Sequence, residues 1–111
     1  SEASFPLIEK VEHAELGGET IGYRFTTKAA DGISGLTVDV IIGRIAAIAY
    51  RGEGDAATQD NLNTLIGTQI APDEVTDALT GATWTYDALD ESIGQCAAFY
   101  AAYISGEEAA A

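Results

Sequence analysis

Between Glu9 and Tyr50 the apolar residues recur with the twofold period of strands, and past Arg51 they recur at helical spacing. Ile21, Tyr23 and Phe25 alternate with Gly22, Arg24 and Thr26, which puts three large apolar side chains on one face of a strand. Gly17-Gly18 separates KVEHAEL from ETIGYRF, and a two-residue Gly-Gly link between such segments predicts a hairpin. Pro6 to Leu16 accordingly reads as strand in preference to helix. A glycine-rich stretch, Asp31 to Gly35, leads into LTVDVII, which is rich in β-branched residues; Gly43-Arg44 and then IAAIAY follow. Glycine at the first central position suits a type II′ turn, so residues 36–42 and 45–50 are expected as a second tight hairpin. Val38, Val40 and Ile42 would then share one face, and Ile45 and Ala47 a face of the return strand.

In QDNLNTLIG, Leu62, Leu65 and Ile66 stand at helical spacing, with Gly67 placed just past a helix end. Pro72 to Ala78 reads as a helical turn or loop. From Thr85 to Ser105, the residues Leu89, Ile93, Cys96, Tyr100, Tyr103 and Ile104 form one stripe. This predicts an amphipathic helix of about 20 residues, roughly 30 Å long, ended by Gly106 ahead of a frayed tail. Strands early and helices late, without βαβ alternation, predict an α+β fold: a small antiparallel sheet of hairpins with helices packed on one face and a long C-terminal helix.

The 111 residues correspond to one domain, 1–111. Its borders, SEAS and EEAAA, resemble linker remnants, so a longer parent chain is expected. Apolar residues at 47% with charged residues at 21% indicate a folded domain and not a disordered tail. No run approaches the 18 apolar residues of a membrane span and no signal peptide opens the chain, so direct membrane insertion by this segment is not expected. The single cysteine, Cys96, allows no internal disulfide and no cysteine-based zinc cluster. On the apolar stripe of the last helix it reads as core filling.

Charge narrows the choice of partner. Eighteen acids against five cations give a net charge of −13, which excludes a nucleic-acid phosphate binder and disfavours anionic membranes. All five cations (Lys10, Arg24, Lys28, Arg44 and Arg51) precede residue 52, beside seven acids; from Glu53 to Ala111 there are eleven acids and no cation. A solvated, self-repelling surface accounts for most of these acids. Asp73 and Glu74 fit a solvated helix start.

Inside that cation-free half lies Asp77-Ala78-Leu79-Thr80-Gly81-Ala82-Thr83, followed by Trp84-Thr85. Thr83 or Thr85 can serve as the N-cap of the following helix. Capping accounts for one threonine, not for Thr80, Gly81, Ala82 and Thr83 together at a fixed distance from Asp77. The segment resembles the FMN-binding domain family, whose members include components of the sodium-pumping NADH:quinone reductase and of the Rnf complex, and extracellular electron-transfer flavoproteins. That family's flavinylation motif is Asp-x-x-(Ser/Thr)-Gly-Ala-Thr, which DALTGAT at 77–83 meets at every defined position. The resemblance extends to GYRFTTKAADGISGLTVDVIIG at 22–43 and to the segments on either side of the motif. Glu53 corresponds to a glutamate that the family commonly follows with Thr, and here Gly54 follows it.

The resemblance implies FMN attached covalently to Thr83 through a phosphoester bond, installed by a dedicated flavin transferase that uses FAD as donor. It makes Asp77, Thr80, Gly81 and Ala82 the recognition context of the motif, with Trp84, Thr85 and Glu53 as further cofactor contacts. It also implies an extracytoplasmic setting, on a tether this segment lacks, and exchange of electrons with redox proteins or a small acceptor. Such a domain is an electron carrier and not by itself an enzyme. Two alternatives remain: a flavin-free acidic binding or regulatory module on the same fold, and the FMN domain of a multidomain flavin-dependent reductase.

The chemistry of the residues bears on these readings. A helix N-terminus following Thr83 favours an anion there, and Gly81 and Ala82 leave room for a bulky group. Asp77, Asp87, Asp90 and Glu91 oppose a phosphate, so noncovalent FMN would need Arg44 or Arg51 to arrive from the second hairpin. A covalent ester needs neither. Thr83 has no base beside it in sequence and is not an intrinsic nucleophile. The sole histidine, His13, reads as a surface residue on a strand. Trp84 suits either a stacking contact with an isoalloxazine or an anchor of the helix to the sheet, and Tyr50 and Tyr86 are lesser candidates.

Overall fold

A computed structural model describes residues 5–28, 35–52, 56–84 and 86–105. Four strands, β1 (Ile8–Leu16), β2 (Glu19–Lys28), β3 (Gly35–Ile41) and β4 (Arg44–Tyr50), form one antiparallel sheet in the order β1-β2-β3-β4. Three helices follow: α1 (Ala56–Asn63), α2 (Pro72–Thr80) and α3 (Asp87–Phe99), the last continuing through a π-helical turn, Tyr100–Ile104. The α+β architecture, with its hairpins and long C-terminal helix, is therefore the one the periodicity implies.

The helices cover one face of the sheet. Phe25, Leu36, Val38, Val40, Ile45 and Ile48 point inward from the strands to meet Leu62, Val75, Leu89, Ile93, Cys96 and Tyr100. Each such side chain, fully buried, contributes about 1.5–3 kcal/mol. The N-terminal segment is clasped to α3: Phe5 packs edge-to-face on Phe99 at 5.3 Å, and Gln95 Oε1 accepts a hydrogen bond from the Leu7 N–H at 2.9 Å. The opposite face is solvated, and there Arg24 forks onto both carboxylate oxygens of Asp39, at 2.6 and 2.8 Å.

Both edges of the sheet are managed. Along β4, Gln59 accepts from the Tyr50 N–H at 2.9 Å and donates to the Ile48 carbonyl at 2.7 Å, while residues 67–70 pair with Ile45 and Arg44. The β1 edge carries Glu9, Lys10, Glu12, His13 and Glu15, charges and polar groups that discourage further strand pairing.

The second hairpin corrects the sequence reading. Ile41 pairs with Arg44, so the central residues of the turn are Ile42 and Gly43, not Gly43 and Arg44. Both have positive φ, 49° and 74°, the pattern of a type I′ turn and not of II′. The cause lies in the core: Val40 and Ile45 are both buried and directly paired, and this fixes a two-residue loop between Ile41 and Arg44. Ile42 is then left at the tip, 85% exposed, off the Val38 and Val40 face. A bulge at Ala46 also breaks the pairing of faces on β4, so that Ile48, not Ala47, joins Ile45 inside.

The helical half departs from expectation in four places. After Asn63 the chain tightens into turns in which Leu65 and Ile66 donate to carbonyls three residues back, so Leu62 and Leu65 are buried and Ile66 is not. Gly67, at φ 96°, does end that segment in the left-handed conformation. Pro72 starts a helix that runs on through Thr80. Within the last helix the π turn widens the spacing, keeping Tyr100 and Ile104 buried while Tyr103 leaves the stripe at 44% exposure. The N-cap of α3 is Tyr86, with no side-chain capping bond, so Thr83 does not cap the helix. Thr85 and Gly106, expected as an alternative cap and a terminator, lie outside the described residues.

Candidate functional site

The DALTGAT segment forms the end of α2 and the connection to α3. Pro72 sits in the first turn of α2, where its missing N–H costs nothing, and Asp73 and Glu74 complement the dipole there as exposed carboxylates. Asp77 and Thr80 are exposed on the last turns of the helix. The Gly81 N–H donates to the Asp77 carbonyl at 3.0 Å and the Ala82 N–H to the Leu79 carbonyl at 3.3 Å, closing the helix. Thr83 follows at the surface, and among the described residues its hydroxyl has no hydrogen-bond partner.

Gly81 is informative because the chain does not require it. Its φ of −79° and ψ of −8° suit any L-residue. A Cβ built there would meet the Asp77 carbonyl oxygen at 3.4 Å, an ordinary contact. Neither backbone conformation nor internal packing explains the glycine.

Trp84 and Tyr86 fasten the connection. Their rings lie 5.0 Å apart at 33°, both half-buried against the core, and Asn61 Nδ2 on α1 donates to the Tyr86 hydroxyl at 3.2 Å. Of the two roles open to Trp84, anchoring is the one these contacts supply. Tyr50 is half-buried at the end of β4.

α2 and α3 are antiparallel, since Ala71 and Pro72 at the start of α2 share a groove with Tyr100, Ala101 and Ser105 at the far end of the long helix. Thr83 thus stands at the corner where α2 turns into α3. The electrostatics of that corner differ from the expectation of a helix N-terminus next to Thr83. α3 starts four residues later, at Asp87, and its first turn already carries Asp87 and Asp90. The α2 carbonyl end, with negative partial charge, faces the same corner.

Of the two arginines, Arg44 comes alongside the first residues of the motif, Asp77 and Ala78, in a groove that Thr83 does not line. It lines an open groove of about 590 Å³ with Gln69, Glu74, Asp77 and Ala78, and its Nη1 donates to the Gly67 carbonyl at 2.9 Å. Arg51 is held elsewhere, donating to the Thr27 carbonyl and lying 3.6 Å from Glu9. Glu53 and Thr85 lie outside the described residues.

His13 is exposed on β1 with Glu15 at 3.1 Å, an ordinary surface pair remote from the motif. Cys96 is buried, and desolvation pushes its thiol up, which makes it inert core filling.

One residue escaped the sequence reading altogether, and a second was read only in part. Asn61 sits in a polar run, QDNLN, where nothing distinguishes it from solvated neighbours. Asp90, which the sequence shows only as one of the acids opposing a phosphate, has an Oδ1 that is buried without a hydrogen-bond partner, and burial, with a smaller contribution from Asp87, raises its pKa above the ordinary carboxylate value. Among the described residues no group of histidine, cysteine or carboxylate side chains is arranged to hold a metal, and no helix is long and apolar enough to cross a membrane. Compared with known protein families, curated proteins and solved structures, the chain matches none.

Proposed function

We propose that this chain is an electron-transfer flavodomain that carries FMN as a phosphoester on Thr83. The observation that carries the reading is the DALTGAT match together with the placement of its final threonine: exposed, uncapping, and with an uncommitted hydroxyl at a helix-helix corner. The residues present fit the group. Gly81 supplies room that the fold does not need.

In the attachment step, a flavin transferase would direct Thr83 Oγ1 onto the FMN-side phosphorus of FAD. The new O–P bond replaces the pyrophosphate O–P bond, AMP leaves, and the threonine proton passes to a base of the transferase. This chain contributes the exposed hydroxyl and its recognition context, Asp77, Thr80, Gly81 and Ala82. Trp84 and Tyr86 hold the connection against the core. Bound FMN supplies the redox chemistry, and the protein contributes position and electrostatics. The extracytoplasmic setting and exchange with redox proteins or a small acceptor belong to the same proposal.

The test is intact-mass spectrometry after co-expression with a flavin transferase. Wild type is expected to gain one FMN less water, and Thr83→Ala to gain nothing. A wild-type chain that stays unmodified, or a Thr83→Ala chain that is modified equally, overturns the reading.

A further inference from the structure

Of the large apolar residues exposed among the described ones, Leu16, Ile21, Ile41 and Ile42 lie at one end of the sheet, where both hairpins turn. Ile41 pairs with Gly22, the Ile42 N–H donates to the Ile21 carbonyl at 3.4 Å, and Leu16 closes β1 opposite Glu19. Single exposed aliphatics are ordinary, whereas a contiguous apolar patch with a polar border marks an interaction surface.

Two further features belong to the same place. A groove of about 270 Å³ is lined there by Glu12, Ala14, Gly22, Arg24, Asp39 and Ile41. Gly22 stands between Ala14 and Ile41 in the sheet, and a Cβ on it would lie 2.6 Å from the Val40 carbonyl oxygen, so the strand packing keeps this position bare. Ile42 is the second feature. It is β-branched, 85% exposed and held at φ 49°, where asparagine or glycine would be unstrained. The Val40–Ile45 pair sets the place of the turn, but no burial requires isoleucine at its tip. Strain kept at an exposed apolar side chain points to a use for that side chain.

Charge and area identify the occupant. Besides Glu12 in the groove, the exposed Glu15 and Glu19 flank Leu16, and the exposed Asp73 follows Pro72, which shares a second groove with Ile42. The cations at this end are engaged: Arg24 with Asp39, Arg44 with the Gly67 carbonyl, Lys10 with Glu12, and His13 with Glu15. An apolar centre with an acidic border suits a partner of the opposite pattern. A second copy does not fit, because each chain carries −13 and four aliphatic residues fall far short of the about 20–30 residues a side that hold a stable dimer. A transient encounter guided by charge needs far less area.

We infer that the hairpin end of the sheet is a docking surface for a basic protein, which sets one aliphatic or aromatic side chain into the groove over Gly22, against Ile41 and Ile42, within a ring of lysines or arginines. The surface serves such a partner whether or not the chain carries FMN.

The probe is the peptide amide Lys-Arg-Lys-Phe-Leu-Lys-Arg-Lys, titrated into the isotope-labelled chain at low salt and followed by amide chemical shifts. Saturable shifts centred on Gly22, Ile41 and Ile42 are expected, with a Kd below about 1 mM. Ile41→Thr, and Ile42→Asn, which suits the turn, are each expected to weaken binding at least about fivefold. Two control peptides, one with Ala-Ala for Phe-Leu and one with Glu for every cation, are expected to bind at least as much more weakly. Absence of saturable binding, shifts that map elsewhere, unchanged affinity in both variants, or equal affinity of either control peptide overturns the inference. Sedimentation of the chain alone and with phosphatidylcholine vesicles tests the other occupants. A dimer, or vesicle binding, that is lost in Ile42→Asn gives this face to a second copy or to a membrane and likewise overturns it.

Discussion

Replacing Gly81 by alanine separates what the fold needs from what the site needs. The residue closes α2 at φ −79° and ψ −8°, and an added Cβ would sit 3.4 Å from the Asp77 carbonyl oxygen. Alanine fits both the backbone and the space, so the substitution acts on the unfolded chain, whose freedom it reduces. A gain of about 0.4–1 kcal/mol follows, which for a chain of this size corresponds to roughly 2–6 °C in Tm. Gly22 provides the internal contrast, because a Cβ there would lie 2.6 Å from the Val40 carbonyl oxygen on the neighbouring strand. Gly22→Ala must displace backbone in the middle of the sheet, and a loss of about 1–3 kcal/mol is expected. Under the flavodomain reading the two variants exchange ranks when FMN attachment is measured. Gly81→Ala is the more stable but is labelled at least about tenfold more slowly, a barrier increase of about 1.4 kcal/mol, whereas folded Gly22→Ala is labelled normally. Urea titrations and the initial rate of mass gain with the transferase supply both axes. If Gly81→Ala loses more than about 1 kcal/mol of stability, the reverse of the expected entropic gain, the glycine serves the fold after all. If it is labelled at the wild-type rate, the glycine serves neither the transferase nor the cofactor.

Further outcomes follow from particular residues. Ile42 is β-branched, 85% exposed and held at φ 49°, so Ile42→Asn should restore the preferred Asn-Gly turn and raise the urea midpoint by an amount worth about 1 kcal/mol; an unchanged midpoint would mean that the turn is not strained. Ile93 is fully buried, and Ile93→Ala should cost about 2–5 kcal/mol by the same titration. Burial first, and Asp87 second, raise the pKa of Asp90 in the folded protein, so the unfolded chain releases this proton at lower pH. The stability of unloaded wild type relative to Asp90→Asn should therefore decline as pH rises from about 4 through the folded value and be level above it; a flat difference would show that the carboxyl is not desolvated. Because Asp77 opens the motif and Asp87 and Asp90 follow it, FMN on Thr83 should have a midpoint potential below that of free FMN, and a titration at or above the free value would reject that placement of charge.

The fold was legible in the sequence wherever a pattern reports a local preference that the core does not oppose. Gly17-Gly18 turns where its dipeptide indicates, and Phe25, Leu62 and Ile93 are buried where the periodicity puts them. The reading failed where tertiary pairing outranks local chemistry. The Val40–Ile45 pair moved the second turn by one residue and forced Ile42 into a conformation that its own side chain disfavours. The π turn did the same to Tyr103, since a widened helical turn leaves no composition signal. Within the candidate site, residue types identified the motif but not its setting. Thr83 looked like a cap because a helix followed it; only the structure places Tyr86 there and leaves the threonine without a structural task. Asp90 was legible as an acid beside the motif but not as one with a buried oxygen, because an acid in a first helical turn is so readily explained that its burial carries no sequence signature.

The placement of charge around that corner bears on why attachment would be covalent. A reversible FMN site commonly offers the phosphate a helix N-terminus and one or more cations. Here Thr83 follows the carbonyl end of α2 and precedes an N-terminus whose first turn holds two acids. The one arginine near the motif, Arg44, shares its groove with Glu74 and Asp77 and spends a donor on the Gly67 carbonyl. The residues from Glu53 onward contain no cation. An anion resting there by charge alone would be opposed by at least as many negative groups as it could find positive ones. An ester to Thr83 changes the problem, since the bond retains the cofactor whatever the field, and one phosphate charge is absorbed into the linkage. The acids that would weaken a reversible site then remain free to act on the redox group, favouring its less negative oxidised form. Under the flavodomain reading, the cation-poor half of the chain would make covalent attachment necessary, with a low potential as its consequence.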